Sequence, residues 1–155
     1  IISLLFLFRI LAGTAILNVE ISTYLLFFSQ LFFLSLAGIK RLAETKIFVN
    51  FKNNKLPGRS YIKENDKLIG FISFIAFTLS LLVLIIYISS SNAKDIYSRS
   101  FILYLMCPIL TIWFLRMYYK AKNSKIIGDP IIFAVKDKLS LFILIVSAIV
   151  LIFSI

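Results

Sequence analysis

The chain alternates between long apolar runs and short, strongly charged stretches. Ile21 to Ile39, Leu68 to Ala93 and Leu139 to Ile155 contain no Asp, Glu, Lys or Arg. A helix needs roughly 20 apolar residues to cross a bilayer core. The pattern predicts five spans, at about 1–16, 23–39, 68–89, 100–115 and 139–155. All five should be helices, because backbone in lipid must satisfy its own hydrogen bonds. Runs such as Leu79 to Ile86 lack the period-two alternation of a barrel strand. Pro108, inside the fourth span, is expected to kink it. The fold class expected is all-α, a polytopic transmembrane bundle.

Charge then orients the spans. The segment from Lys40 to Lys67 holds eight Lys/Arg and that from Arg116 to Lys138 holds six, of 17 in the chain. The turn at Asn18–Ser22 holds none, and Ser90–Arg99 holds two. Five spans on alternating sides bring the two basic segments to one side. The positive-inside rule makes that side cytoplasmic and places the C-terminus outside, in a cell inner membrane. The net charge of +10 in a soluble protein would suggest nucleic acid. In a chain that is 61% hydrophobic, with mean hydropathy +0.99, the positives read as anchors facing anionic lipid, with no nucleic-acid partner.

Little conventional chemistry is present. His is absent, and the single Cys107 excludes an internal disulfide and a Cys/His metal cluster. The chain starts at Ile1, already apolar, without a basic n-region or cleavage site, and reads as the C-terminal part of a larger membrane domain.

Four groups of residues could carry chemistry. Arg9 interrupts the first span, and an arginine at membrane depth commonly pairs with an anion. A phosphate-bearing ligand suits the guanidinium fork; the plainer reading is an interfacial, snorkelling side chain. Lys40, Arg41 and Glu44 fall on one helical face at the end of the second span. Two cations beside one carboxylate suit a magnesium–diphosphate group, and equally complement a helix C-terminus at the headgroups. Gly58-Arg59-Ser60-Tyr61 follows a Pro-Gly turn and could hold an anionic headgroup, or be a solvated loop. Asp129, Lys136 and Asp137 lie in the second basic segment, with Asp137 placed to cap or pair before the last span.

Five segments in order carry a resemblance: FRILAGTAI (Phe8–Ile16), FFLSLAGIKRLAE (Phe32–Glu44), GRSYIKEND (Gly58–Asp66), PILTIWFLRMYY (Pro108–Tyr119) and GDPIIFAVKDKLS (Gly128–Ser140). Together they resemble the UbiA superfamily of membrane prenyltransferases, most of all the subgroup near decaprenyl-phosphate phosphoribosyltransferase. Members with this KR-x-x-E and GR-x-Y pattern often follow a phosphatase-like soluble domain. The resemblance implies the second half of a nine-helix bundle around a cavity open to the cytoplasm. It implies Mg2+ as cofactor and a polyprenyl phosphate or diphosphate lipid as substrate. The partner substrate would be a water-soluble acceptor or phosphoribosyl diphosphate. It implies that Glu44 holds the metal, that Lys40 and Arg41 act on the diphosphate, and that Arg9 and Arg59, beside Tyr61, bind phosphate. Asp129, Lys136 and Asp137 would shape the mouth. The family's Asp-rich second motif is replaced here by Lys40-Arg41-Leu42-Ala43-Glu44, which favours the phosphoribosyl branch. Its first, NDxxD-like motif is absent, so this part alone, without the missing N-terminal half, is expected to be inactive. Two other classes stay open: a transporter or channel subunit, which repeats and midplane charges would mark, and a non-catalytic membrane anchor.

Overall fold

The structure is a computed structural model and describes residues 5, 8, 11–13, 22–50, 66–123 and 130–154. Among the described residues every regular element is helical. In order they are α1 (Thr23–Asn50), α2 (Asp66–Ser89), a short α3 (Ser91–Ile96), a 3-10 segment (Ser100–Leu105), α4 (Met106–Lys122), α5 (Pro130–Lys136) and α6 (Lys138–Ser154). Among the described residues, three helices are long and apolar enough to cross a membrane, over Thr23–Lys46, Lys67–Ser89 and Ser100–Lys122. Lys138–Ser154, where the fifth span is expected, is an apolar helix of 17 residues, shorter than the other three. The predicted first span falls almost wholly outside the described residues.

Two predicted boundaries are corrected. The hydropathy pattern ends the second span at Ile39, but α1 runs on to Asn50. It ends the fourth at Leu115, but α4 continues to Lys122. In both cases the apolar run stops before the helix does. Good helix formers follow, and the Arg41–Glu44 pair supports the continuation of α1. Lys40, Arg41, Lys46, Arg116, Lys120 and Lys122 are therefore helical residues on fixed faces, not loop residues. Pro108 lies in the first turn of α4, just behind the 3-10 segment. Its missing donor falls at a junction of two helical geometries, in place of a kink inside one helix.

The packing inverts the rule for water-soluble domains. Phe71, Ile72, Leu82 and Ile86 on α2, and Phe142, Leu144, Ile152 and Phe153 on α6, are exposed. Ser29, Ser35, Thr45, Ser73, Ser80, Ser140 and Ser154 are buried. A surface of this kind is what lipid, not water, accepts. Apart from Ser140, these buried hydroxyls find partners on the backbone. Ser35 donates to the Phe32 carbonyl at 2.7 Å, Ser80 to Phe77 at 2.7 Å, and Thr45 to Leu42 at 2.9 Å.

α1 and α2 approach most closely where small residues meet. A Cβ added at Gly38 would lie 2.7 Å from the Ser73 Cβ and 3.3 Å from its Cα. Just beside it, the Ser73 hydroxyl donates to the Ser35 carbonyl at 2.6 Å, across the two helices. Without a hydrophobic drive in lipid, close backbone contact and interhelical hydrogen bonds hold helices together. α4 completes the core. Phe114, Met117 and Ala121 pack on Leu36, Ile39, Leu42, Ala43 and Phe77. The Phe77 and Phe114 rings stack with centroids 3.9 Å apart.

Gly38→Ala should lower the stability of the α1–α2 pair by about 1–3 kcal/mol, the usual cost of overpacking. Adding Ser73→Gly should recover part of the loss, because it removes the clash though not the hydrogen bond. Thermal unfolding in detergent micelles reads both; an unchanged melting temperature for Gly38→Ala contradicts the close approach.

Candidate functional site

Charge gathers at one end of the bundle, where α1 and α4 finish and α2 and α6 begin. Three groupings sit there.

The first is on α1. The Arg41 guanidinium donates to the Glu44 carboxylate at 2.7 Å, and both side chains are largely sheltered. The predicted shared face is thus realised for this pair, and Lys40 lies one residue before it on the same helix. Helix geometry sets these three residues on a different face from Leu42 and Lys46.

The second grouping joins α4 to the α5–α6 junction. Asp137 is the single residue between Lys136 and Lys138, the ends of α5 and α6. Its carboxylate accepts from Arg116 Nη2 at 3.0 Å and Nε at 3.3 Å, and from Lys120 Nζ at 2.9 Å. It also accepts from the Ser140 backbone N–H at 3.1 Å and hydroxyl at 2.8 Å. Asp137 is therefore the N-cap of α6, with the third helical residue as donor. A carboxylate at a helix N-terminus also complements the helix dipole. The side chain is only 14% exposed. Burial pushes its carboxyl up, but hydrogen bonds from Lys120, Ser140 and Arg116 outweigh burial and hold it well below the usual carboxylate range. Lys120 additionally lies 4.6 Å over the Phe133 ring, tying α5 to the same cluster.

The sequence places Asp137 to cap or to pair with adjacent lysines; it caps, and its pairing partners are Arg116 and Lys120 on another helix. Arg116, Lys120 and Ser140 are site residues that the sequence reading missed. Two signals were present: Arg116 and Lys120 are four apart, and Ser140 stands three after Asp137, the spacing of a cap. Among the other candidates, Lys136 is exposed at the end of α5. Arg9, Arg59, Tyr61 and Asp129 lie outside the described residues.

An apolar cavity of about 250 Å³ runs up to this cluster. Phe32, Trp113, Ile143 and Leu144 line it, and its polar edge includes Ser140, the residue that donates twice to Asp137. Phe32 and Trp113 stack across it at 6.0 Å. The third grouping surrounds a separate cavity of about 450 Å³ between the ends of α1, α2 and α4.

No three His, Cys, Asp or Glu converge among the described residues. Glu44 supplies one carboxylate already engaged by Arg41, and Asp137 is enclosed by five donors. These residues by themselves do not make a magnesium site.

Asp137→Asn should cost about 1.5–3 kcal/mol, the range for hydrogen bonds to a charged group. A carboxyl held below its ordinary value of 3.8 binds its proton less readily folded than unfolded. The stabilisation from Asp137 is thus complete above about pH 5 and is lost as pH falls below about 4. Melting curves of wild type and Asp137→Asn should differ by a constant amount near neutrality and converge in acid. A difference that instead grows in acid would refute the clamp.

Across its length the chain is 29% identical to uncharacterized protein y4nM of Sinorhizobium fredii, over 97% of this chain and 30% of that protein. It is 28% identical to nodulation protein NoeC of Azorhizobium caulinodans, over 99% of this chain and 50% of NoeC. No family model and no solved structure matches. The chain spans half or less of the length of these curated relatives.

Proposed function

We propose that the chain is part of an integral-membrane transferase of the UbiA type, acting on a polyprenyl phosphate or diphosphate at a cytoplasmic, cation-rich helix end. One observation carries the reading: an apolar slot reaches a cluster of Arg116, Lys120 and Asp137 at its polar edge, Ser140. A lipid with a long apolar tail and a phosphate head has that same polarity. The tail lies between Phe32, Trp113 and Ile143, and the head meets the cations.

In the phosphoribosyl version, an oxygen of the polyprenyl phosphate attacks the anomeric carbon of phosphoribosyl diphosphate. The carbon–oxygen bond to diphosphate breaks, and diphosphate leaves with the electron pair. In the prenyl version, the polyprenyl diphosphate is itself the donor. Either way negative charge grows on the departing diphosphate, and pre-placed cations stabilise it. Lys40 and Arg41 take that role, with Glu44 fixing Arg41. A magnesium ion would need Glu44 together with ligands from outside these residues. Asp137 shapes the mouth by holding Arg116 and Lys120 in place. The resemblance assigns Lys136 and Asp129 to the mouth, and Arg9, Arg59 and Tyr61 to phosphate binding.

The intact protein in membranes should transfer label from phosphoribosyl diphosphate, or from a prenyl diphosphate, into lipid extract. Glu44→Gln should lower transfer by about 100-fold or more, the usual loss for an electrostatic group, while membrane insertion stays intact. Arg9→Leu should insert more readily yet lose turnover. Absence of transfer with every donor, or full activity in Glu44→Gln, removes the assignment.

A further inference from the structure

The larger cavity lies on the other side of α4 from the apolar slot. Leu42 and Lys46 of α1, Lys67, Gly70, Phe71 and Phe74 of α2, and Leu115, Tyr118 and Lys122 of α4 line it. Three helices thus each contribute one lysine to a lining that, among the described residues, includes no acid. The depth of these lysines is specific. Lys46 ends the first membrane-length stretch, Lys67 begins the second, and Lys122 ends the third. All three therefore stand at the level where hydrocarbon gives way to headgroups. Phe71, Phe74 and Leu115 are exposed, so the cavity opens sideways toward the lipid-facing surface. At its back, the Tyr118 hydroxyl approaches the α2 backbone so closely that a Cβ at Gly70 would lie 2.7 Å from it. The cavity is thus cationic at its rim, apolar on its walls and open to the bilayer.

We infer that this cavity is a binding site for an anionic phospholipid of the surrounding membrane. The lysines Lys46, Lys67 and Lys122 clasp its phosphate, and Leu42, Phe71, Phe74 and Leu115 receive the upper acyl chains. Basic pockets between transmembrane helices recognise lipid headgroups by this combination of charge and depth. Lysine suits the task, since a flexible point charge follows a mobile phosphate without demanding one geometry. The lipid would bridge three helix ends, which makes it structural. The site is independent of the transferase reading. It uses none of Lys40, Arg41, Glu44, Arg116, Lys120 or Asp137.

Native mass spectrometry of the intact protein, purified from membranes and titrated with phosphatidylglycerol or phosphatidylcholine, tests the inference. Phosphatidylglycerol adducts should persist through delipidation and phosphatidylcholine adducts should not. Lys46→Gln/Lys67→Gln/Lys122→Gln should bind phosphatidylglycerol about 100-fold more weakly, at the usual contribution per lysine near an anionic headgroup. Lys122→Gln alone, at an exposed helix end, should lose about fivefold. Lys94→Gln/Arg99→Gln/Lys138→Gln removes the same charge away from the cavity and should bind as wild type does. Equal loss in both triple variants means diffuse attraction and overturns the site, as does no loss in either. Displacement of the lipid by millimolar inorganic phosphate also overturns it, by making the ligand a soluble anion. The readout is lipid retention, so an absence of transferase activity leaves it unaffected.

Discussion

A hydrocarbon environment leaves no polar group without a partner, and the architecture of this chain follows from that constraint. Within the spans, serines and threonines return their hydroxyls to carbonyls one turn back. One of them, Ser73, reaches across to the neighbouring helix, and the helices meet there because Gly38 has no side chain to keep them apart. Ionised groups cannot be treated so, and they collect where the helices end. The same rule that builds the bundle therefore determines where anything anionic can be bound.

At that end the charged residues do different jobs. Arg116, Lys120 and Asp137 form an ion-pair clamp that ties α4 to the start of α6. Arg41 and Glu44 make a local pair on one helix. Lys46, Lys67 and Lys122, one from each of three helices, frame a cavity. Density of positive charge alone would not separate these roles. Partners and faces do.

The sequence conveyed the class of the fold well, because charge-free runs of membrane length seldom occur outside membrane helices. Such stretches located α2 and α6 to within two residues at most boundaries. The sequence conveyed the ends of α1 and α4 poorly, because hydropathy reports where lipid stops and says nothing of where hydrogen-bonded turns stop. By hydropathy Arg116 and Lys120 fall in a loop, although they are four apart on one helix. The Arg41–Glu44 pair was legible, since its spacing is local. The clamp was not, since it links residues 17 and 21 positions apart through the turn between two helices. The approach of Gly38 to Ser73 was equally hidden, because a glycine in an apolar run does not announce which helix it faces.

The clamp also has a bearing on biogenesis. During N-to-C synthesis α4 emerges with two cations at its end, and their counter-charge follows only when Asp137 is made. Until then Arg116 and Lys120 keep that end of α4 in contact with water. Once Asp137 arrives, it satisfies both cations and simultaneously starts the final helix, so docking of α6 and settling of α4 become a single event. A nascent chain halted before Asp137 would leave a partly seated helix for membrane quality control to recognise.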